Sequence, residues 1–448
     1  AQIFSLMKEK QWQKSSELAA KAGDSAIKKI VLSQKLLDPS HSKTKCEDII
    51  KFLQENPSWP QKQLLKIRVE DCINSDTSKQ MLVKWFRDNP PLTSRGHKYY
   101  ALAAHTMIND QEELQRIIKA GWHNGSFTVA DQEVYLQKFK KYLTLKDHVK
   151  KIDNHLFKTE ITAAKHLFYL VNANYKQSFN AQIALIRNKQ NAKNLFKKIS
   201  KQFYTPGLIY SYLNYCKNNP SSGSEIAGLI HNIKSDKDYA DRFAKLQSYI
   251  AREFIAKKKY RDAYQVISNH FATGAEPKSN AEFLAGWLAL RFLHKPQIAL
   301  EHFHEFNRVV RTPMSKSRGI YWLARAHEAN KDMEKANKSY QIVASKYPYS
   351  FYGQMAIVEM KQTKLKLPND INFKKYTESA AAYAKKNDVL KATKIISKYG
   401  PNTMCQNYIQ SMISSADSQD DILHISHNLK QLNNIHHSAW AAKHAIQK

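Results

Sequence analysis

The strongest constraint on this chain is a small side chain that recurs at the spacing of a two-helix unit. Ala263, Ala299 and Ala336 fall 36 and 37 residues apart. Each sits in an apolar helical pattern, where a methyl group lets two helix backbones approach closely and larger side chains close around the contact. Ile320, Leu323, Ala324 and His327 line one helix face. Asn330-Lys331-Asp332 turns the chain, Ala336, Tyr340 and Val343 line the next face, and Pro348 stops it. Upstream, Ile250, Ala251 and Phe254 face Ala263 and Ile267 across Lys257-Lys258-Lys259. Such a period is the mark of tetratricopeptide-like helix pairs, in which each pair buries its apolar face against its neighbours.

The rest of the chain agrees with that reading. Only 12 Gly and 13 Pro punctuate 448 residues, too few for many strands joined by tight turns. Breaks stand at Asn56-Pro57, Asn89-Pro90-Pro91, Pro206-Gly207 and Asn219-Pro220, and helical spacing resumes after each. Trp59-Pro60 is expected to open a helix, and another is expected to begin near Thr93. The fold class is all-α: a superhelical ring or solenoid of short antiparallel helix pairs, with about 20 to 26 helices of ordinary length. Lys361 to Asn372 reads as an irregular connector, which places a boundary near Leu367. The expected division is a superhelical domain over 1–366 and a smaller helical linker domain over 367–448.

The net charge is +31, from 70 basic and 39 acidic residues. Of the basic residues 57 are Lys and only 13 are Arg, and the Lys are scattered along the chain. Scattered Lys with little Arg fits a compositional drift better than a nucleic-acid groove, with long-range attraction to polyanions as a side effect. No apolar run approaches the ~20 residues of a membrane span. Ala1-Gln2-Ile3-Phe4 enters a helix and is no signal peptide, so the chain is either mature or was never exported.

Chemistry-bearing motifs are sparse. There is no Gly-rich phosphate loop, no Gly-x-Ser-x-Gly and no His-Glu-x-x-His, so no catalytic residue, metal site or cofactor is expected. His302/His304 and His436/His437 lie in polar helical contexts and read as solvated or aromatic-packing residues. Glu378-Ser379 reads as part of a helix start, with Thr377 or Ser379 as the cap. Cys46 lies early in one helix and Cys72 late in the next, so an antiparallel hairpin sets them side by side. A disulfide in an oxidising compartment and a pair of free buried thiols both fit that placement. The best candidate interaction surface is the aromatic and Arg cluster of Arg311, Arg318, Tyr321, Trp322, Phe351, Tyr352 and Gln354. The same residue types also serve as packing between helices.

Several stretches carry a family resemblance. Ala281 to Leu293 (Ala-Glu-Phe-Leu-Ala-Gly-Trp-Leu-Ala-Leu-Arg-Phe-Leu), Arg311-Thr312-Pro313, Ser317-Arg318, Tyr321-Trp322 and Ser350-Phe351-Tyr352-Gly353-Gln354 resemble the helical module of the soluble lytic murein transglycosylases. Glu55 to Pro60 and Asn89 to Thr93 are similar as well. The resemblance implies a periplasmic protein with a ring-shaped helical superhelix, then a linker domain, then a lysozyme-like domain that cleaves peptidoglycan. In that family the lysozyme-like domain carries a Glu-Ser pair followed by Gly-Leu-Met-Gln. No Gly-Leu-Met-Gln occurs here, and Glu378-Ser379 falls in the linker region, so the catalytic role is not carried over to it. The implied partner is peptidoglycan or its fragments, with a catalytic domain or another protein as a further partner. The competing reading is a catalytically empty helical-repeat adaptor that binds a protein.

Overall fold

A computed structural model describes residues 1–41, 44–233, 237–361 and 373–445. Among them are 27 α-helices and four short 3-10 turns, with no β-strand, so the count lies just above the expected range. The repeat seen in the sequence is present as consecutive hairpins. Ala240–Ala256 pairs with Tyr260–Ser268, Ala275–Arg291 with Pro296–Val309, and Pro313–Ala329 with Met333–Lys346. Ala263, Ala299 and Ala336 are each fully buried at these crossings. Two glycines serve the same purpose. A Cβ on Gly286 would lie 2.8 Å from the Phe303 ring, and one on Gly319 would lie 2.7 Å from the Phe306 ring.

This close packing yields a first prediction. Ala336→Leu should lower stability by about 1–3 kcal/mol, because added methylenes have no space at the crossing. Ala329→Leu, exposed on the same hairpin, should be near neutral. Thermal unfolding of the two variants separates them.

Helix starts are held by distant carboxylates. Glu70 accepts from the backbone N–H of Leu92 and Thr93, both at 2.7 Å, and from the Thr93 hydroxyl at 2.6 Å, in front of Ser94–Met107. Asp153 accepts from Gly207 N at 2.9 Å and Thr205 Oγ1 at 2.6 Å, at the start of Pro206–Cys216. Asp241 takes Thr273 N and Gly274 N, each at 2.9 Å, before Ala275–Arg291. Asp262 takes Gly223 N at 2.6 Å, at the start of Gly223–His231. The unpaired N–H groups and positive dipole end of a helix start favour a carboxylate there. The expected helix near Thr93 begins there. The one expected at Trp59-Pro60 starts later, at Lys62, because Gln61 takes a left-handed conformation with φ 64°.

The chain packs as two compact units. One gathers Ala1–Leu143 with the C-terminal helices from Phe373 to Ala445. Within it, Asp388–Tyr399 packs on Ser25–Leu37, with Lys29 Nζ 2.7 Å from Asp388 Oδ2. Trp59 meets Tyr408 edge to face at 5.6 Å. Cys46 and Cys72 are joined by a disulfide with Cα atoms 5.6 Å apart, tying the start of Cys46–Glu55 to the end of Lys62–Cys72. The second unit holds the helices between Thr144 and Lys361 and contains the hairpin repeat. Residues 362–372, and with them the boundary expected near Leu367, lie outside the described residues.

Candidate functional site

The seven residues of the expected interaction surface all lie in the second unit, on or beside two helices. Pro313–Ala329 is capped by Thr312, whose hydroxyl accepts from Ser315 N, and Pro313 fills the first turn where no N–H is needed. Phe351–Glu359 is capped by Ser350, which accepts from Gly353 N at 2.9 Å.

These caps set the side chains into two groups. Arg318, Tyr321 and Trp322 point into helix crossings. The Arg318 guanidinium stacks 4.2 Å over the Phe283 ring and 4.9 Å from that of Phe306, and burial lowers its pKa. Trp322 sits edge-on to Phe283 at 6.0 Å and tilted on Phe303 at 6.1 Å. Tyr321 lies tilted against Tyr352 at 5.3 Å, and Tyr352 is edge-on to Phe351 at 5.2 Å. Arg311, Phe351 and Gln354 face solvent, with Phe351 68% exposed beside the exposed Tyr349 and Val358.

Under this aromatic layer lies a polar hub that no sequence motif marks. Arg325 Nη1 donates to Glu359 Oε1 at 2.8 Å, and the Tyr321 hydroxyl donates to the same oxygen at 3.1 Å. Arg325 Nε pairs with Glu328 Oε2 at 3.1 Å, and the Tyr340 hydroxyl donates to that oxygen at 3.1 Å. Burial and then the neighbouring Glu328 raise the Tyr340 pKa. Arg325 and Glu328 stand at i, i+3 on one helix, a spacing the sequence offers but that the motifs read from it do not include, and Glu359 comes from another helix.

A second cluster binds three elements of the same unit. Glu282 is buried, and its two oxygens face His270 Nε2 at 3.0 Å and His302 Nδ1 at 2.7 Å. Ala272 N donates to His270 Nδ1 at 3.3 Å, which leaves the His270 proton on Nε2, toward the carboxylate. His302 Nδ1 faces the carboxylate and so carries a proton, and with the ring neutral its Nε2, 3.1 Å from the Tyr264 oxygen, accepts from that hydroxyl. Burial alone would raise the Glu282 pKa, but the two imidazole hydrogen bonds together with the positive charge of the rings when protonated outweigh it and hold the acid at about 2. His302 therefore departs from the solvated reading: it packs on Tyr264, as an aromatic-packing histidine would, and also clamps a buried acid.

Glu378 and Ser379 lie inside Phe373–Lys386 rather than at a helix start, both exposed, with Ser379 Oγ 2.8 Å from His424 Nε2. No group of three or more His, Cys, Asp or Glu among the described residues is arranged to hold a metal ion. No helix of the described residues is long and apolar enough to cross a membrane.

A cavity of about 940 Å³ lies in the first unit between Trp12, Leu36, His41 and Phe52. At its edge Asp38 accepts from Trp12 Nε1 at 2.8 Å and Lys10 Nζ at 3.1 Å. Burial opposes ionisation there, but these bonds and those from Ser40 keep the carboxyl well below the usual range.

No family model matches the sequence, and no curated protein matches it. Solved structures do match. An inactive mutant of the lytic transglycosylase Slt from Pseudomonas aeruginosa superposes with a TM-score of 0.63 at 14% identity, over 96% of this chain and 68% of that one. The 70-kDa soluble lytic transglycosylase from Escherichia coli gives 0.55 at 12% identity, over 99% of this chain and 69% of that one. The 70-kDa enzyme in complex with bulgecin A gives the same values. The chain has the helical fold of the soluble lytic transglycosylases along nearly its whole length, and the resemblance drawn from its residues holds at the level of that fold.

Proposed function

We propose that this chain is the helical scaffold of a periplasmic, lytic-transglycosylase-like protein that associates with peptidoglycan and supports cell-wall cleavage. The observation that carries this reading is the fold match over 96–99% of the chain. The net charge of +31 adds attraction to acidic wall polymers. Residues 1–366 would form the superhelical part and 367–448 the linker part. Arg311, Phe351 and Gln354 would form the exposed contact surface, with Arg318, Tyr321, Trp322 and Tyr352 as its rigid backing. No turnover is expected from these 448 residues, in which the Gly-Leu-Met-Gln stretch of the family's catalytic domain does not occur.

Co-sedimentation with purified sacculi tests the reading. The protein should pellet at low ionic strength and be released as salt rises, because surface charge contacts are screened. Failure to pellet at any salt would sink it. The adaptor reading draws on the exposed Tyr349, Phe351 and Val358, large apolar side chains left open to a protein contact. It predicts no affinity for sacculi and loss of a protein partner on Phe351→Ala.

A further inference from the structure

In the first unit, helices Cys46–Glu55, Lys62–Cys72 and Lys79–Asp88 enclose a cleft of about 430 Å³. Its apolar lining comes from the buried Trp85 and the half-buried Ile50, Leu53 and Met81, with the exposed Pro57 at one edge. Its rim carries Lys62, Lys66 and Lys84, against one carboxylate, Asp88. Lys62 and Lys66 stand one turn apart on a single helix face, where like charges repel. Arginines on the same helices are neutralised, Arg68 by Asp71 at 2.9 Å and Arg87 by Glu113 at 3.4 Å. Lys62, Lys66 and Lys84 have no such ion pair among the described residues.

We propose that this cleft binds a short acidic peptide, with its carboxylates on the three ammonium groups and small apolar side chains on the apolar lining. Charge complementarity selects an anion, and the lining requires apolar groups beside it. A volume of about 430 Å³ suits a few residues rather than a folded partner. Lys presents compact point charges that suit separate carboxylates, whereas planar bidentate capture of phosphate favours Arg. The Cys46–Cys72 disulfide joins two of the three walls and so holds the cleft in shape before a ligand arrives. The inference rests on the cleft alone and stands or falls apart from sacculus binding.

Calorimetric titration with the peptide acetyl-Ala-Glu-Ala-Glu-Ala tests it, beside the same peptide with Gln for Glu and phosphatidylglycerol vesicles. The Glu peptide should bind, and the Gln peptide should bind about tenfold more weakly or worse, as two lost charge contacts imply. The triple variant K62E/K66E/K84E should lose binding by about tenfold or more while keeping its helical circular dichroism. The variant K165E/K197E/K201E, at exposed lysines of the other unit, controls for net charge and should bind as the parent does. Equal binding of the Gln peptide, equal losses in both triple variants, or binding to vesicles without binding to peptide would each overturn the proposal.

Discussion

Glu282→Ala is expected to destabilise the second unit by about 3–5 kcal/mol, the range for breaking a buried charge cluster by removing one partner. The carboxylate is the shared acceptor for His270 and His302, and both imidazoles are locked in place by Ala272 N and Tyr264. Its loss orphans two donors at once, each costing about 1–3 kcal/mol. Neither ring can turn its proton elsewhere without facing a second donor or abandoning its lock. Glu282→Gln should fall between the two, because the amide offers one acceptor and one donor where two acceptors are needed. Chemical denaturation followed by circular dichroism measures the series, and a loss under about 1 kcal/mol for the alanine variant would refute the account.

The same cluster sets an acid limit. The folded-state pKa of Glu282 is lowered from 4.5 to about 2. A depressed carboxylate stabilises the fold fully above its unfolded pKa, and the benefit fades as pH falls from about 4.5 toward 2. The parent should therefore lose about 3 kcal/mol more than Glu282→Gln across that window.

The second large effect is expected at the disulfide. Cys46 and Cys72 close a loop with a sequence separation of 26. Loop-closure entropy for that length is about 3.5 kcal/mol, so Cys46→Ser with Cys72→Ser should lower the denaturation midpoint of the first unit accordingly. Reduction of the parent should reproduce the shift. Equal midpoints for oxidised and reduced protein would show that the bridge adds no stability.

How much of this was legible in the sequence depends on how local its cause is. Ala263, Ala299 and Ala336 announced the helix pairs because a close crossing needs a small side chain at one position of each repeat. Thr93 announced a helix start because a cap acts within three residues. The start at Lys62 was misplaced, since nothing local to Pro60 shows that Gln61 turns left-handed. Of the interaction cluster, the residue types were visible, but the split between the packed Arg318 and Trp322 and the exposed Phe351 was not. Both environments use the same aromatic and Arg chemistry, and only neighbouring helices decide which face is covered.

The chain by itself determined that it would be helical throughout and built of paired helices, because spacing, caps and scarce turn residues act over a few residues. The tertiary structure decided the rest. It alone brought His270 and His302 to Glu282, set Asp153 before Gly207 and placed Asp388 against Lys29, 359 residues away; for Cys46 and Cys72, already side by side in the hairpin, it decided between a bond and free thiols. Those contacts join side chains with no shared periodicity, so their partners are fixed only once whole helices have packed.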